Sequence, residues 1–150
     1  MKRYCVYVID GKVPTNLPCD TGTEPSLTTS PAHIEVLSEL MRREPLFHRY
    51  ETGTTRGELE RVAAPEFWEV SPFGDRLSRE FVLRSSAAEN VPATEHVWEI
   101  ENLHCSEIAA DNYLLTYTLF QGERVTRRAT IWRRSSEGWQ VVYHQGTLVQ

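Results

Sequence analysis

The stretches YLLTYTLFQ (113–121), VTRRATIWRR (125–134) and WQVVYHQ (139–145) follow one another with only short breaks. β-Branched and aromatic residues dominate them, the composition of strands. The breaks, Gly122-Glu123 and Ser135–Gly138, each contain the glycine that tight hairpin turns favour. Three antiparallel strands are therefore expected. A two-residue turn at Gly122-Glu123 pairs Gln121 with Arg124, and so sets Tyr117 opposite Arg128, Leu115 opposite Thr130 and Tyr113 opposite Trp132. A turn at 135–138 pairs Arg134 with Trp139, which sets Trp132 opposite Val141, Thr130 opposite Tyr143 and Arg128 opposite Gln145. Closing the preceding loop at Ala110-Asp111 brings His104 opposite Tyr117. One face then carries the polar row His104–Tyr117–Arg128–Gln145, followed by Ser106–Leu115–Thr130–Tyr143 and Ile108–Tyr113–Trp132–Val141. The reverse face, with Leu114, Thr116, Thr118, Ala129, Ile131, Val142 and His144, is plainer.

Upstream, the pattern turns helical. Ser30-Pro31 supplies an N-cap and a first-turn proline, and Ile34, Leu37, Leu40 and Met41 follow at helical spacing up to Pro45. Thr55-Arg-Gly-Glu58 is a capping box opening a second helix, with Leu59, Val62 and Ala63 on its inner side and Pro65 closing it. FWEVS (67–71) reads as a short strand and Ser78 as the cap of a third helix that buries Phe81 and Val82. A loop through Pro92 leads to a strand over about His96–Ile108. Helices first and a mostly antiparallel sheet last define the α+β class. Residues 1–31 differ, being rich in Pro, Thr, Ser and Gly. They are expected to form an N-terminal arm in which residues 3–9, overlapping YCVYVID (4–10), make an ordered strand and 11–29 a connecting strap.

Composition narrows the function. A net charge of −5 argues against nucleic-acid and anionic-membrane partners, which need a basic footprint. The cluster Arg124, Arg127, Arg128, Arg133, Arg134 divides between two faces of a strand, so it reads as a solvated edge with one inward arginine. Cys5, Cys19 and Cys105 are too scattered for a disulfide framework or a metal site, so reduced thiols and a cytoplasmic location are expected, with no metal or cofactor. MKRYCVYVID is cut short at Asp10-Gly11 and reads as neither a signal peptide nor a membrane span.

The series HVWEIENLHC (96–105), NYLLTYTLF (112–120), RRATIWRR (127–134) and GWQVVYHQGT (138–147), with ELERVAAPEFWEVSPFGDRLSREFVL (58–83) before it, resembles the nuclear transport factor 2-like superfamily. Within it, the chain is most similar to the uncharacterised bacterial DUF4440/SnoaL-like branch. The resemblance covers residues 32–149 and implies a cone: a curved, mostly antiparallel sheet whose concave face is closed by helices. It also implies that the polar row lines the concave pocket, that a homodimer forms on the reverse face, and that His144 lies there. The superfamily spans isomerases, dehydratases, cyclases, hydrolases, association domains and pure binding domains, so the fold leaves the activity open.

Read residue by residue, the polar face suits a small ligand. Arg128 offers a fork for a carboxylate or phosphate. Gln145, Thr130, Tyr143, Trp132 and Trp68 complete the binding set. His104 offers an imidazole, the side chain most used for general acid–base chemistry, and Tyr117 can donate to a carbonyl or oxyanion. The leading expectation is therefore a domain binding a small anionic or carbonyl-bearing molecule. Its rivals are an enzyme of ketosteroid-isomerase or dehydratase type using His104 and Tyr117, and a non-catalytic oligomerisation module. No Asp or Glu falls in the polar row: Glu99 and Glu101 lie on the reverse face and the facing of Glu69 is open. Cys105 faces away from His104, and no serine sits in a strained glycine turn, so no nucleophile is indicated.

Overall fold

The computed structural model describes residues 25–47, 55–85 and 98–149. The expected strand over residues 3–9 and most of the strap lie outside them. The elements run in the order α1 (Ile34–Arg43), α2 (Arg56–Val62), β1 (Ala63–Val70), β2 (Arg76–Ser78), α3 (Arg79–Ser85), β3 (Trp98–Ala109), β4 (Asn112–Gln121), β5 (Arg124–Ser135) and β6 (Gly138–Leu148). A 3-10 turn, Pro31–His33, precedes α1, and a second, Glu44–Phe47, follows it. The class is α+β: six strands form one sheet in the order β2-β1-β6-β5-β4-β3, antiparallel except for the β1–β6 pair.

The helices arise where the sequence places them, and their faces need two corrections. Leu40 is fully buried, with Val36, Leu37 and Met41 packed against the core, but Ile34 is 48% exposed because it opens the helix beyond the sheet's edge. In α3 the buried pair is Val82 and Leu83, while Phe81 is 47% exposed. The capping box is complete: Thr55 accepts from the Glu58 amide and Glu58 accepts from the Thr55 amide. Pro65 does not end the chain's pairing but sits inside β1, where the register with β6 shifts between Ala63 and Trp68. A proline lacks the N–H that a regular ladder there would need.

The β4–β5 register holds throughout: Tyr117 pairs with Arg128, Leu115 with Thr130 and Tyr113 with Trp132. The core forms on this inner face, where Tyr113, Leu115, Tyr117, Leu119, Trp132, Trp139 and Val141 meet Leu40, Phe67 and Val82.

Two bulges change what the flanking strands present. In β6, Trp132 pairs with Val141 but Ile131 pairs with Tyr143, so Val142 is an extra residue. Because side chains alternate, one extra residue reverses every facing beyond it. Thr130 therefore pairs with His144 and Arg128 with Gly146, which places His144 inside and Tyr143 and Gln145 on the outer face. In β3, Ala109 pairs with Asn112 but Glu107 pairs with Tyr113, making Ile108 the extra residue. His104 then pairs with Thr116 on the outer face, and Cys105 pairs with Leu115 and is 1% exposed. A second shift between Glu101 and His104, at Asn102 with φ +53°, restores the original facing, so Glu99 and Glu101 pair with Phe120 and Thr118 on the outer side.

Before α1 the chain runs along the free edge of β3, where the Cys105 amide donates to Thr29 Oγ1 at 3.0 Å. This contact satisfies one of the edge donors that would otherwise invite another strand.

Candidate functional site

The inner face of the sheet gathers an unusual set of buried polar groups. Tyr117, Arg128, Thr130 and Trp132, all named from the sequence, stand together on β4 and β5 and are each no more than 7% exposed. His104, Tyr143 and Gln145 are not with them, for the bulge reasons given. Trp68 is 43% exposed and stacks on Tyr143, ring centroids 4.7 Å apart, on the outer face.

A carboxylate not foreseen from the sequence sits at the centre. Glu44 opens the 3-10 turn after α1 and has no exposed surface. Its Oε1 accepts from Tyr117 Oη at 3.0 Å and from Thr130 Oγ1, and its Oε2 accepts from Trp132 Nε1 at 2.9 Å. A buried ionised carboxylate persists only when donors replace its water, and three donors from two neighbouring strands do so here. The sequence carried a signal for it: Glu44 falls four residues after Leu40 and seven after Leu37, on the buried stripe of α1. Burial pushes the Tyr117 phenol well above its ordinary pKa, and the adjacent Glu44 charge adds to the shift.

Glu69 and His144 form a second buried pair. They are Cα partners on β1 and β6, and His144 Nδ1 lies 3.4 Å from Glu69 Oε2, with side chains 5% and 6% exposed. His144 is also the cross-strand partner of Thr130, which donates to Glu44, so the two carboxylates flank one stretch of the inner face.

Arg128 completes the set. Its Nε donates to Thr126 Oγ1 at 2.9 Å, the one hydrogen bond its guanidinium makes among the described residues. Desolvation lowers its pKa, opposed by nearby Tyr117, Glu44 and Glu69. Gly146 makes room for it: a methyl group there would lie 3.3 Å from Arg128 Nη1 and 3.0 Å from Pro72 Cγ. Of the other arginines in the cluster, Arg127 and Arg133 lie on the outer face, while Arg124 and Arg134 share the face of Arg128 at the exposed ends of β5. Arg133 bonds Glu66 at 2.6 Å, and Arg134 bonds Asp111 while lying 5.6 Å from the centroids of both Tyr113 and Trp139.

A groove of about 630 Å³ is lined by Thr116, Thr118, Ala129 and Gln145 of the outer face and by Pro25–Leu27, and Tyr117 and Arg128 also contribute to its lining. Among the described residues, no three His, Cys, Asp or Glu side chains gather as a metal site, and no helix is long and apolar enough to cross a membrane.

This architecture, a six-stranded curved sheet closed by helices over a polar inner face, is the nuclear transport factor 2-like fold, as solved structures bear out. A putative dehydratase of that family from Streptomyces avermitilis shares 21% identity, with a TM-score of 0.61 over 81% of this chain and 99% of its own. A protein of unknown function of the DUF3225 family from Pectobacterium atrosepticum shares 14%, with a TM-score of 0.60 over 82% and 100%. An NTF2-like protein of unknown function from Silicibacter pomeroyi shares 18%, with a TM-score of 0.58 over 81% and 100%. At such identities the likeness extends to the fold alone. No family model matches the chain, and no curated protein matches it.

Proposed function

We propose that the inner face of the sheet binds a small organic acid, anchored by Arg128. The observation that carries this reading is Arg128 itself: the residue is 7% exposed, yet the hydrogen bond of its guanidinium among the described residues goes to a neutral hydroxyl. A desolvated cation is costly unless an anion meets it with good geometry, and a guanidinium fork matches a carboxylate in particular. Gly146 supports the reading, since any larger residue would crowd the fork. The test is a thermal-shift screen of small carboxylic acids. Arg128→Ala abolishes the shift, and Arg128→Lys, which keeps the charge but not the fork, retains part of it. An unchanged response in Arg128→Ala refutes the assignment.

A second reading, catalysis by proton transfer, is favoured by the Glu69–His144 pair. A carboxylate beside an imidazole fixes the orientation of the ring, which a general base needs. His144 takes the place that the sequence assigned to His104, and Tyr117 keeps its role as donor. The reaction class is proton abstraction next to a carbonyl, or dehydration. Solvent-deuterium exchange into a panel of 2- and 3-oxo acids, followed by NMR, is accelerated by the protein and loses at least tenfold in His144→Asn on this reading. Equal rates in the two proteins dismiss it.

The finer kinship, with the DUF4440/SnoaL-like branch, rests on Thr130–Trp132, Gly138-Trp139 and His144–Thr147. Homodimerisation through the outer face and a cytoplasmic location belong to the same proposal. The first is supported by the apolar Leu114 and Ile131 on that face, the second by the scattered cysteines.

A further inference from the structure

We propose that Tyr117, Thr130 and Trp132 form a carboxylate-binding cradle, and that Glu44 is its resident, exchangeable occupant, displaced when a small carboxylic acid binds. The inference rests on the reading that the inner face takes organic acids, and it names where the second anion position lies.

The donors and the acceptor have different origins. Tyr117 Oη, Thr130 Oγ1 and Trp132 Nε1 project from two paired strands, each hydrogen-bonded to a neighbour on both sides. They converge on a single carboxylate and would do so whatever molecule supplied it. That carboxylate comes from Glu44, carried on a four-residue 3-10 turn. The turn hangs from α1 by the hydrogen bond from the Glu44 amide to the Leu40 carbonyl. Short 3-10 segments have poorer hydrogen-bond geometry than α-helix and are common at helix ends and hinges.

Exchange of this kind is electrostatically even. One carboxylate leaves the donors and another arrives, so the buried charge is unchanged and no donor is left orphaned in the bound state. Arg128 is the direct cross-strand neighbour of Tyr117, so the guanidinium and the cradle belong to one patch of the inner face. The cradle is chemically specific: its three donors have fixed directions and suit a planar two-oxygen anion more than an alcohol or an amine.

The test is calorimetric titration of acetate and benzoate into wild type, Glu44→Ala, and the double variant Glu44→Ala/Thr130→Val, with circular dichroism to confirm folding. Glu44→Ala binds at least one of the acids ten times or more tighter than wild type, and the added Thr130→Val removes most of that gain. A folded Glu44→Ala that binds no tighter than wild type overturns the proposal, as does a gain that survives Thr130→Val. If Glu44→Ala does not fold, Glu44→Gln decides: its amide is a poorer guest for three donors, so a gain of a few-fold supports exchange and no gain refutes it. The wild-type arm separates the two readings. Arg128-dependent binding to wild type without a gain in the Glu44 variants defeats only the exchange. A gain in the Glu44 variants without binding to wild type shows a cradle that Glu44 does not vacate, and it defeats the exchange as well as the wild-type acid site. No binding in any protein defeats both.

Discussion

At the scale of single residues, what matters is where polar groups find partners once water is gone. Thr130 is fully buried and donates to Glu44, so Thr130→Val leaves a buried carboxylate short of one donor. Losing one partner of a buried hydrogen bond to a charge costs roughly 1–3 kcal/mol. Thr147→Val, at an exposed position on the outer face, changes stability by no more than about 0.5 kcal/mol. Urea denaturation of both variants measures the contrast, and equal effects would mean that the Glu44 cradle carries no stability. Cys105 makes a complementary prediction. Its thiol is 1% exposed, and burial pushes its pKa up to about 11. A raised native pKa means that the unfolded chain ionises first. The stability Cys105 contributes is therefore intact below its unfolded pKa of about 8.5 and lost as the pH rises towards about 11. Wild type loses stability over that window, and Cys105→Ala loses measurably less in denaturation curves at stepped pH.

At the scale of elements, the hairpins were legible from local chemistry and the bulges were not. Gly122 and Gly138 mark turns whose geometry is set within a few residues, so the β4–β5 pairing, and with it Tyr117, Arg128, Thr130 and Trp132, could be placed from sequence. The extra residues Val142 and Ile108 have no such mark, since a valine or an isoleucine fits a regular strand equally well. Only the packing of the inner face decides that His144 and Cys105 turn inward while Tyr143, Gln145 and His104 turn out. Glu44 escaped for another reason: an acid before Pro45 reads as a helix end in solvent, although it continues the stripe of Leu37 and Leu40. That stripe is itself testable. Leu40 is fully buried and Ile34 is 48% exposed. Leu40→Ala costs about 2–5 kcal/mol through lost burial and the cavity left behind. Ile34→Ala costs no more than about 0.5 kcal/mol. Similar losses for the two would show that α1 packs on a different face.

At the scale of the whole molecule, the two faces of the sheet differ in chemistry. The outer face carries Leu114 and Ile131 beside the exposed Trp68, a surface suited to a second copy of the chain. Sedimentation at micromolar concentration gives a dimer, and Ile131→Glu shifts it towards monomer; a monomeric wild type contradicts the pairing. The inner face gathers Glu44, Glu69, Arg128 and His144 out of water, a burial that partners must offset. The most direct test of its role is calorimetric titration of the strongest acid from the thermal-shift screen into wild type and Arg128→Ala. Saturable one-site binding that weakens at least tenfold in the variant is the predicted result. Binding of equal strength in both proteins would contradict an acid site built on Arg128.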